Sequence, residues 1–123
     1  MTEPAAAYRF TLHGRVKPYT RMTRRSMHVN AQAQQYLDSQ ANLAWQLREA
    51  MDGRPPLSGR VAFSVLFCRT GRRLVDLSNC IKALEDAANS LVWNDDSQVA
   101  ELRAALAYEC AEDYTQFHVW SLE

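Results

Sequence analysis

The chain is poor in the residues that would mark it as secreted, membrane-spanning or repetitive. Its 123 residues include only three cysteines, four glycines and four prolines. Cys68, Cys80 and Cys110 are odd in number, widely spaced and set among apolar neighbours, which is unlike either a disulfide framework or a zinc site. Three reduced thiols are expected. No stretch approaches the ~20 apolar residues needed to cross a bilayer, and no basic segment followed by an apolar run opens the chain. Neither membrane insertion nor export is expected, and the cytoplasm is the expected compartment. Repeats and low-complexity tracts are also missing. With 47% hydrophobic residues, the length suits one domain with a modest core that would gain from a partner subunit.

Net charge is absent too, with 14 basic side chains against 14 acidic ones, but the balance conceals two unlike halves. Residues 1–30 carry Arg9, Arg15, Lys17, Arg21, Arg24 and Arg25 against Glu3 alone. Residues 74–123 hold only Lys82 and Arg103 against ten acids. A polyanion suits the first half and a cation the second, although simple solubility is the plainer explanation of such a pattern.

Periodicity then divides the chain. Residues 1–7 read as a flexible leader, followed by a single domain over 8–123. Tyr8, Phe10 and Leu12 alternate with polar residues, the period of a strand with one buried face. Residues 14–29 show no period and read as a basic loop of the length that often binds ligands. Asn30 can cap a helix to about Met51, with Tyr36, Leu37, Gln40, Leu43, Ala44, Leu47 and Met51 on one face and Trp45 off it. Val61, Phe63, Val65 and Phe67 alternate in a strand whose second face, with Leu66 and Cys68, is apolar enough to require helices or a partner over it. A second helix is expected from about Asn79 to Leu91, and two strands at about 98–108 and 115–120 are read as a hairpin. The fold class is therefore α+β, a small mixed β-sheet with two main helices packed on it.

The chemistry-bearing residues gather around the second helix. Asp76, Ser78, Asn79 and Lys82 surround its start, where free amides and the helix dipole favour anions, and Ser78 is a plausible cap. Asp95 and Asp96 follow its end. If the strand after Gln98 returns beside the strand before Asp76, these carboxylates can meet, at about 2.0–2.1 Å from a shared Mg²⁺ that keeps several waters. Otherwise Asp76 caps the helix, Lys82 pairs with Glu85 or Asp86, and Asp95 and Asp96 are solvated.

The run Val75-Asp76-Leu77-Ser78-Asn79-Cys80-Ile81-Lys82-Ala83-Leu84-Glu85-Asp86-Ala87, followed by Val92-Trp93-Asn94-Asp95-Asp96-Ser97-Gln98-Val99, resembles the RusA family of Holliday junction resolvases. The resemblance extends from about Tyr8 to Trp120 and includes the basic stretch Gly14-Arg15-Val16-Lys17-Pro18-Tyr19-Thr20-Arg21. It implies an intimate homodimer that cuts four-way DNA junctions by paired, Mg²⁺-dependent nicks, with Mn²⁺ as an alternative ion. It further implies that Asp76 and Asp96 bind metal and act in catalysis with Lys82, while Ser78, Asn79 and Asp95 are further candidate ligands. Asp86 matches another acidic position on the same helix.

One position departs from the motif: Ser78 stands where the family has a second aspartate. A neutral hydroxyl there weakens the metal site unless Asp95, Asp86 or Glu85 compensates. Three readings follow: an active nuclease with altered metal dependence, a junction-binding protein of the same fold with weak or no cleavage, or a member acting on another substrate. A metal-free structural dimer with solvated acids is a further alternative. Arg15, Lys17, Arg21, Arg24, Arg25, Arg72 and Arg73 are the expected phosphate contacts on branched DNA, whose attraction would weaken with salt. Tyr19 and His28 are candidates for stacking or hydrogen bonding, and His13 and His118 read as surface or sheet-edge groups.

Overall fold

The structure is a computed structural model that describes residues 7–20 and 31–123. Arg21, Arg24, Arg25, His28, Asn30 and most of the expected leader lie outside the described residues. The elements run β1 (Ala7–His13), α1 (Ala31–Met51), β2 (Val61–Cys68), α2 (Leu77–Ala88), a 3-10 turn (Asp96–Gln98), β3 (Val99–Ala107) and β4 (Tyr114–Ser121). The sheet is mixed, in the order β1-β4-β2-β3. β4 lies antiparallel to both β1 and β2, whereas β2 and β3 are parallel, with Phe63 beside Leu102 and Cys68 beside Ala107.

This order corrects the expected hairpin. β3 takes the outer edge beside β2, and the chain then crosses to insert β4 between β1 and β2, so β3 and β4 are not neighbours. A parallel pair requires a crossover of a dozen or more residues, and α2 supplies it. β2–α2–β3 is thus one βαβ unit, and the direction of its strands decides where the acidic residues fall.

The alternation of the strands creates one buried face. Phe10 and Leu12, Val61, Phe63, Val65 and Phe67, and Phe117 and Val119 point into a single core with Leu43, Leu47 and Met51 of α1 and Cys80, Ala83, Leu84 and Ala88 of α2. Phe63, Trp93 and Phe117 meet at its centre, with ring centroids 5.5–5.9 Å apart. Both helices lie on this side. The other face displays Arg9, Ser64, Leu66, Arg103, Gln116 and His118, and no helix covers it within the described residues. Of the two covers expected for the second face of β2, helices or a partner, helices are not the one found among the described residues, and Ala62 and Cys68 are buried there by their neighbours. Trp45 is 59% exposed, so it forms no second edge of the core. The three cysteines are free, and no described helix is long and apolar enough to cross a membrane.

Trp93 links this core to the turn that carries Asp95 and Asp96. Its ring is fully buried, and its indole Nε1 donates to Asn89 Oδ1 at 2.7 Å. Trp93→Ala is expected to lower unfolding stability by about 3–5 kcal/mol, read as a fall in the urea midpoint, with a smaller loss for Trp93→Phe.

Candidate active site and basic pocket

Asp76, rather than Ser78, caps α2. It has extended backbone angles, and its carboxylate accepts from the Asn79 amide at 3.2 Å. The helix begins two residues earlier than the apolar stripe implied, which moves Ser78 into its first turn as an exposed hydroxyl. Tyr108 holds the approach, its hydroxyl oxygen accepting from the Val75 amide at 3.2 Å. The basic loop docks on the same turn, with the Tyr19 amide donating to the Asn79 carbonyl at 2.9 Å.

Lys82 lies midway along α2. Its Nζ pairs with Asp86 Oδ1 at 3.1 Å, one helical turn on, and stands 5.2 Å from the centroid of the Tyr19 ring. The Asp86 hydrogen bond, together with the charges of Asp86 and Asp96, raises the pKa of Lys82 above the ordinary lysine range. Tyr19 in turn meets Tyr36 edge-on at 6.0 Å. Burial, reinforced by Asp86 and Tyr19, pushes the Tyr36 phenol up to about 12.

Asp96 sits beyond the other end of α2. Its Oδ2 accepts from the Asn89 side-chain amide at 3.3 Å, so Asn89 bridges Asp96 and Trp93. Asp95 closes a capping box: its carboxylate accepts from the Ser97 amide at 3.0 Å, and the Gln98 side chain accepts from the Asp95 amide. The Ser97 contacts hold the Asp95 pKa below the usual range. Gln98 then fixes the turn by donating to the carbonyls of Leu57 and Gly59 at 2.9 and 2.8 Å. Asp95 is thus engaged as a cap.

The expected meeting of Asp76 with Asp96 does not occur within one chain. β3 does return beside β2, but parallel to it, so the turn before β3 lies where β2 begins, whereas Asp76 follows the end of β2. α2 spans the interval with 12 residues, and its ends are about 18 Å apart. Among the described residues, no group of three His, Cys, Asp or Glu side chains is placed to hold a metal ion. Asp76, Ser78, Asn79, Asp95 and Asp96 of a single chain therefore do not fit one Mg²⁺. The groups that do share the field of Asp96 are Lys82 and Glu85.

The basic residues divide similarly. Arg15 donates to the Thr70 carbonyl at 2.8 Å and pairs with Asp113 at 3.1 Å, and Arg72 pairs with Glu109. Arg15, Lys17 and Arg73 nevertheless line one cavity of about 250 Å³, joined by Arg69. The sequence reading missed Arg69 because it directly follows an apolar strand. Its guanidinium is buried and donates to the Val16 carbonyl at 3.0 Å. Burial, and then the neighbouring Arg15 charge, lower its pKa. Asn89 was also missed, and Glu85 was read only as a partner for Lys82 or a substitute ligand, since helical spacing alone does not reveal what meets the end of α2.

Glu85 is strained electrostatically, because burial and then Asp96 push its pKa up, against a smaller opposing pull from Lys82. An acid whose pKa rises on folding disfavours the native state once it ionises. Glu85→Gln should therefore stabilise the protein at pH 7, and the advantage should fade as pH falls from the raised pKa of folded Glu85 to the ordinary glutamate value. Urea titrations at several pH values check this.

With this geometry defined, comparison with protein-family models finds a match over residues 10–116 to the family described as Endodeoxyribonuclease RusA. The search of curated proteins finds no match. The family match spans both ends of α2, the acidic turn and most of the sheet, so the chain belongs to the RusA endodeoxyribonuclease family.

Proposed function

We propose that the protein is a structure-selective, metal-dependent endodeoxyribonuclease that resolves four-way DNA junctions by paired nicks. Membership of the RusA family implies Holliday junction resolvase activity on branched DNA. The observation that carries the reading on this chain is the placement of Lys82 between Tyr19 of the basic loop and Asp96. It lies against Tyr19 on one side and within the field of Asp96 on the other. In this role Lys82 supplies positive charge to the phosphoryl group under attack, while Arg15, Lys17 and Arg73 neutralise neighbouring phosphates. Asp86 keeps the lysine charged and holds it along the helix until substrate arrives.

The metal requirement leads to a homodimer. One chain holds Asp76 and Asp96 apart, so an ion bound by both would take Asp76 from one protomer and Asp96 from its partner. A twofold pair offers two such combinations, in keeping with two symmetric cuts. Mg²⁺ is the proposed ion and Mn²⁺ the alternative, because all the available ligands are hard oxygens.

Cleavage of a synthetic four-way junction in Mg²⁺ or Mn²⁺, beside linear duplex, tests the function. Asp96→Asn should abolish paired nicks, and Lys82→Ala should slow them by about 10²-fold or more. An equal mixture of Asp76→Asn and Asp96→Asn proteins separates the two arrangements of the site. Heterodimers with sites shared between chains retain one intact combination and regain single nicks, whereas self-contained sites remain inactive in the mixture.

Ser78 favours a second reading, a junction-binding protein with feeble cleavage. The exposed hydroxyl contributes no charge at the helix entrance, and only Asp76 remains there. Tight junction binding without nicks, converted to cleavage by Ser78→Asp, would establish this reading. In an active native enzyme, the same substitution should instead lower the Mg²⁺ concentration needed for half-maximal rate.

A further inference from the structure

Two of the three cysteines stand together at one end of the sheet. Cys68 is the last residue of β2, and its ladder partners are Ala107 at the end of β3 and Tyr114 at the start of β4. Residues paired in register share a face, so these three side chains lie on the side of the sheet opposite the core. Cys110, in the loop joining β3 to β4, folds back over this spot. Its amide donates to the Arg69 carbonyl at 2.9 Å, and its Sγ approaches the carbonyls of Ala107 and Tyr108 at 3.6 and 3.8 Å. The Cys110 thiol is thereby within hydrogen-bonding reach of the Cys68 sulfur, which the Tyr114 hydroxyl also contacts. Cys68 is buried beneath this cover, whereas Cys110 is partly exposed. Cys80 belongs to the core on the other side of the sheet.

The loop that holds Cys110 also sets the charge of the basic cavity. Asp113, three residues on, accepts from Arg15 at 3.1 Å and from the Thr70 amide at 2.8 Å, and Glu109 pairs with Arg72. A phosphate gains the whole charge of Arg15 only when Asp113 gives way, which requires the loop to move. A covalent tie between Cys110 and the end of β2 removes that freedom.

We propose that Cys68 and Cys110 form a reversible disulfide that holds Asp113 on Arg15 and so weakens the grip of the basic cavity on DNA. The oxidant is a low-molecular-weight disulfide. The accessible Cys110 gives its proton to solvent, and its thiolate attacks one sulfur of that disulfide, expelling the other as a thiolate that takes up a proton. The Cys68 thiolate then attacks the Cys110 sulfur of the mixed disulfide and expels the second small thiol. Two protein thiols are oxidised and one small disulfide is reduced to two thiols; an excess of small thiol reverses both steps. Burial pushes the Cys110 thiol up, so the exchange quickens as pH rises. The cross-link is independent of the nuclease reading, whereas its effect on DNA rests on that reading.

The experiment treats the full-length protein with oxidised glutathione at mildly alkaline pH, unfolds it in urea with iodoacetamide, and maps the cysteines by mass spectrometry. Cys80 alone should be alkylated, with Cys68 and Cys110 joined in one reducible peptide pair, and in Cys68→Ala the product should be Cys110 carrying glutathione. Oxidised protein should bind a four-way junction in EDTA about tenfold more weakly than reduced protein, with the salt dependence lowered by about one phosphate contact, and dithiothreitol should restore both. Cys110→Ser, at a partly exposed position, should bind as the reduced protein does under either condition. Glutathione retained on Cys110 of the native protein, chains linked to one another through Cys110, or three alkylated cysteines overturn the disulfide. A disulfide that forms without changing junction affinity overturns the switch and leaves the nuclease reading standing. Failure of the reduced protein to bind the junction more tightly than linear duplex overturns the nuclease reading and the effect on DNA, while the mapped peptides still decide the thiol pairing.

Discussion

The parallel pairing of β2 with β3 is the constraint on which the rest of the structure depends. Parallel strands cannot be joined by a tight turn, so α2 must carry the chain back along the full length of the sheet. Its entrance and exit then lie at opposite ends of the domain. Had β3 paired antiparallel to β2, the two acidic segments would have been neighbours. The same constraint leaves Lys82 midway, where it can face charge from either direction.

The two ends of α2 are electrostatically unequal. At the entrance, free amides and the positive end of the helix dipole favour the Asp76 carboxylate, which accepts directly from Asn79. At the exit the dipole presents its negative end, and Asp96 and Glu85 add to it; burial, and then the Asp96 charge, raise the pKa of Glu85. Lys82 is the basic side chain that offsets this field, and it is already paired with Asp86. The acidic exit is held in place by neutral contacts: Asn89 connects Asp96 to the buried Trp93, and Gln98 ties the turn to the segment before β2. A region of like charge is thus built on neutral hydrogen-bonded contacts with the core.

On the opposite flank, the basic loop is anchored by backbone and aromatic contacts. Tyr19 binds Asn79 through its amide and meets both Tyr36 and Lys82 with its ring. A shift of the loop would therefore be felt at the lysine. Arg15 and Arg69 are drawn inward by carbonyls and by Asp113, which orders the cavity wall before any ligand arrives. Preorganised donors of this kind lose little freedom on binding a polyanion.

Local pattern made much of this legible. The two-residue alternation of Tyr8–Leu12 and of Val61–Phe67 identified strands and their buried faces, and the spacing from Tyr36 to Met51 identified α1 with the end at which it stops. These signals are local because a side chain's direction within an element follows from the backbone period. The motif containing Asp76, Lys82 and Asp96 also identified the family that the match over residues 10–116 establishes. The position of β4 between β1 and β2, the uncovered face of the sheet, the inward turn of Arg69 and the separation of Asp76 from Asp96 were decided by tertiary structure. Strand order and direction depend on which edges pair across the whole chain, and no neighbouring residues encode that choice.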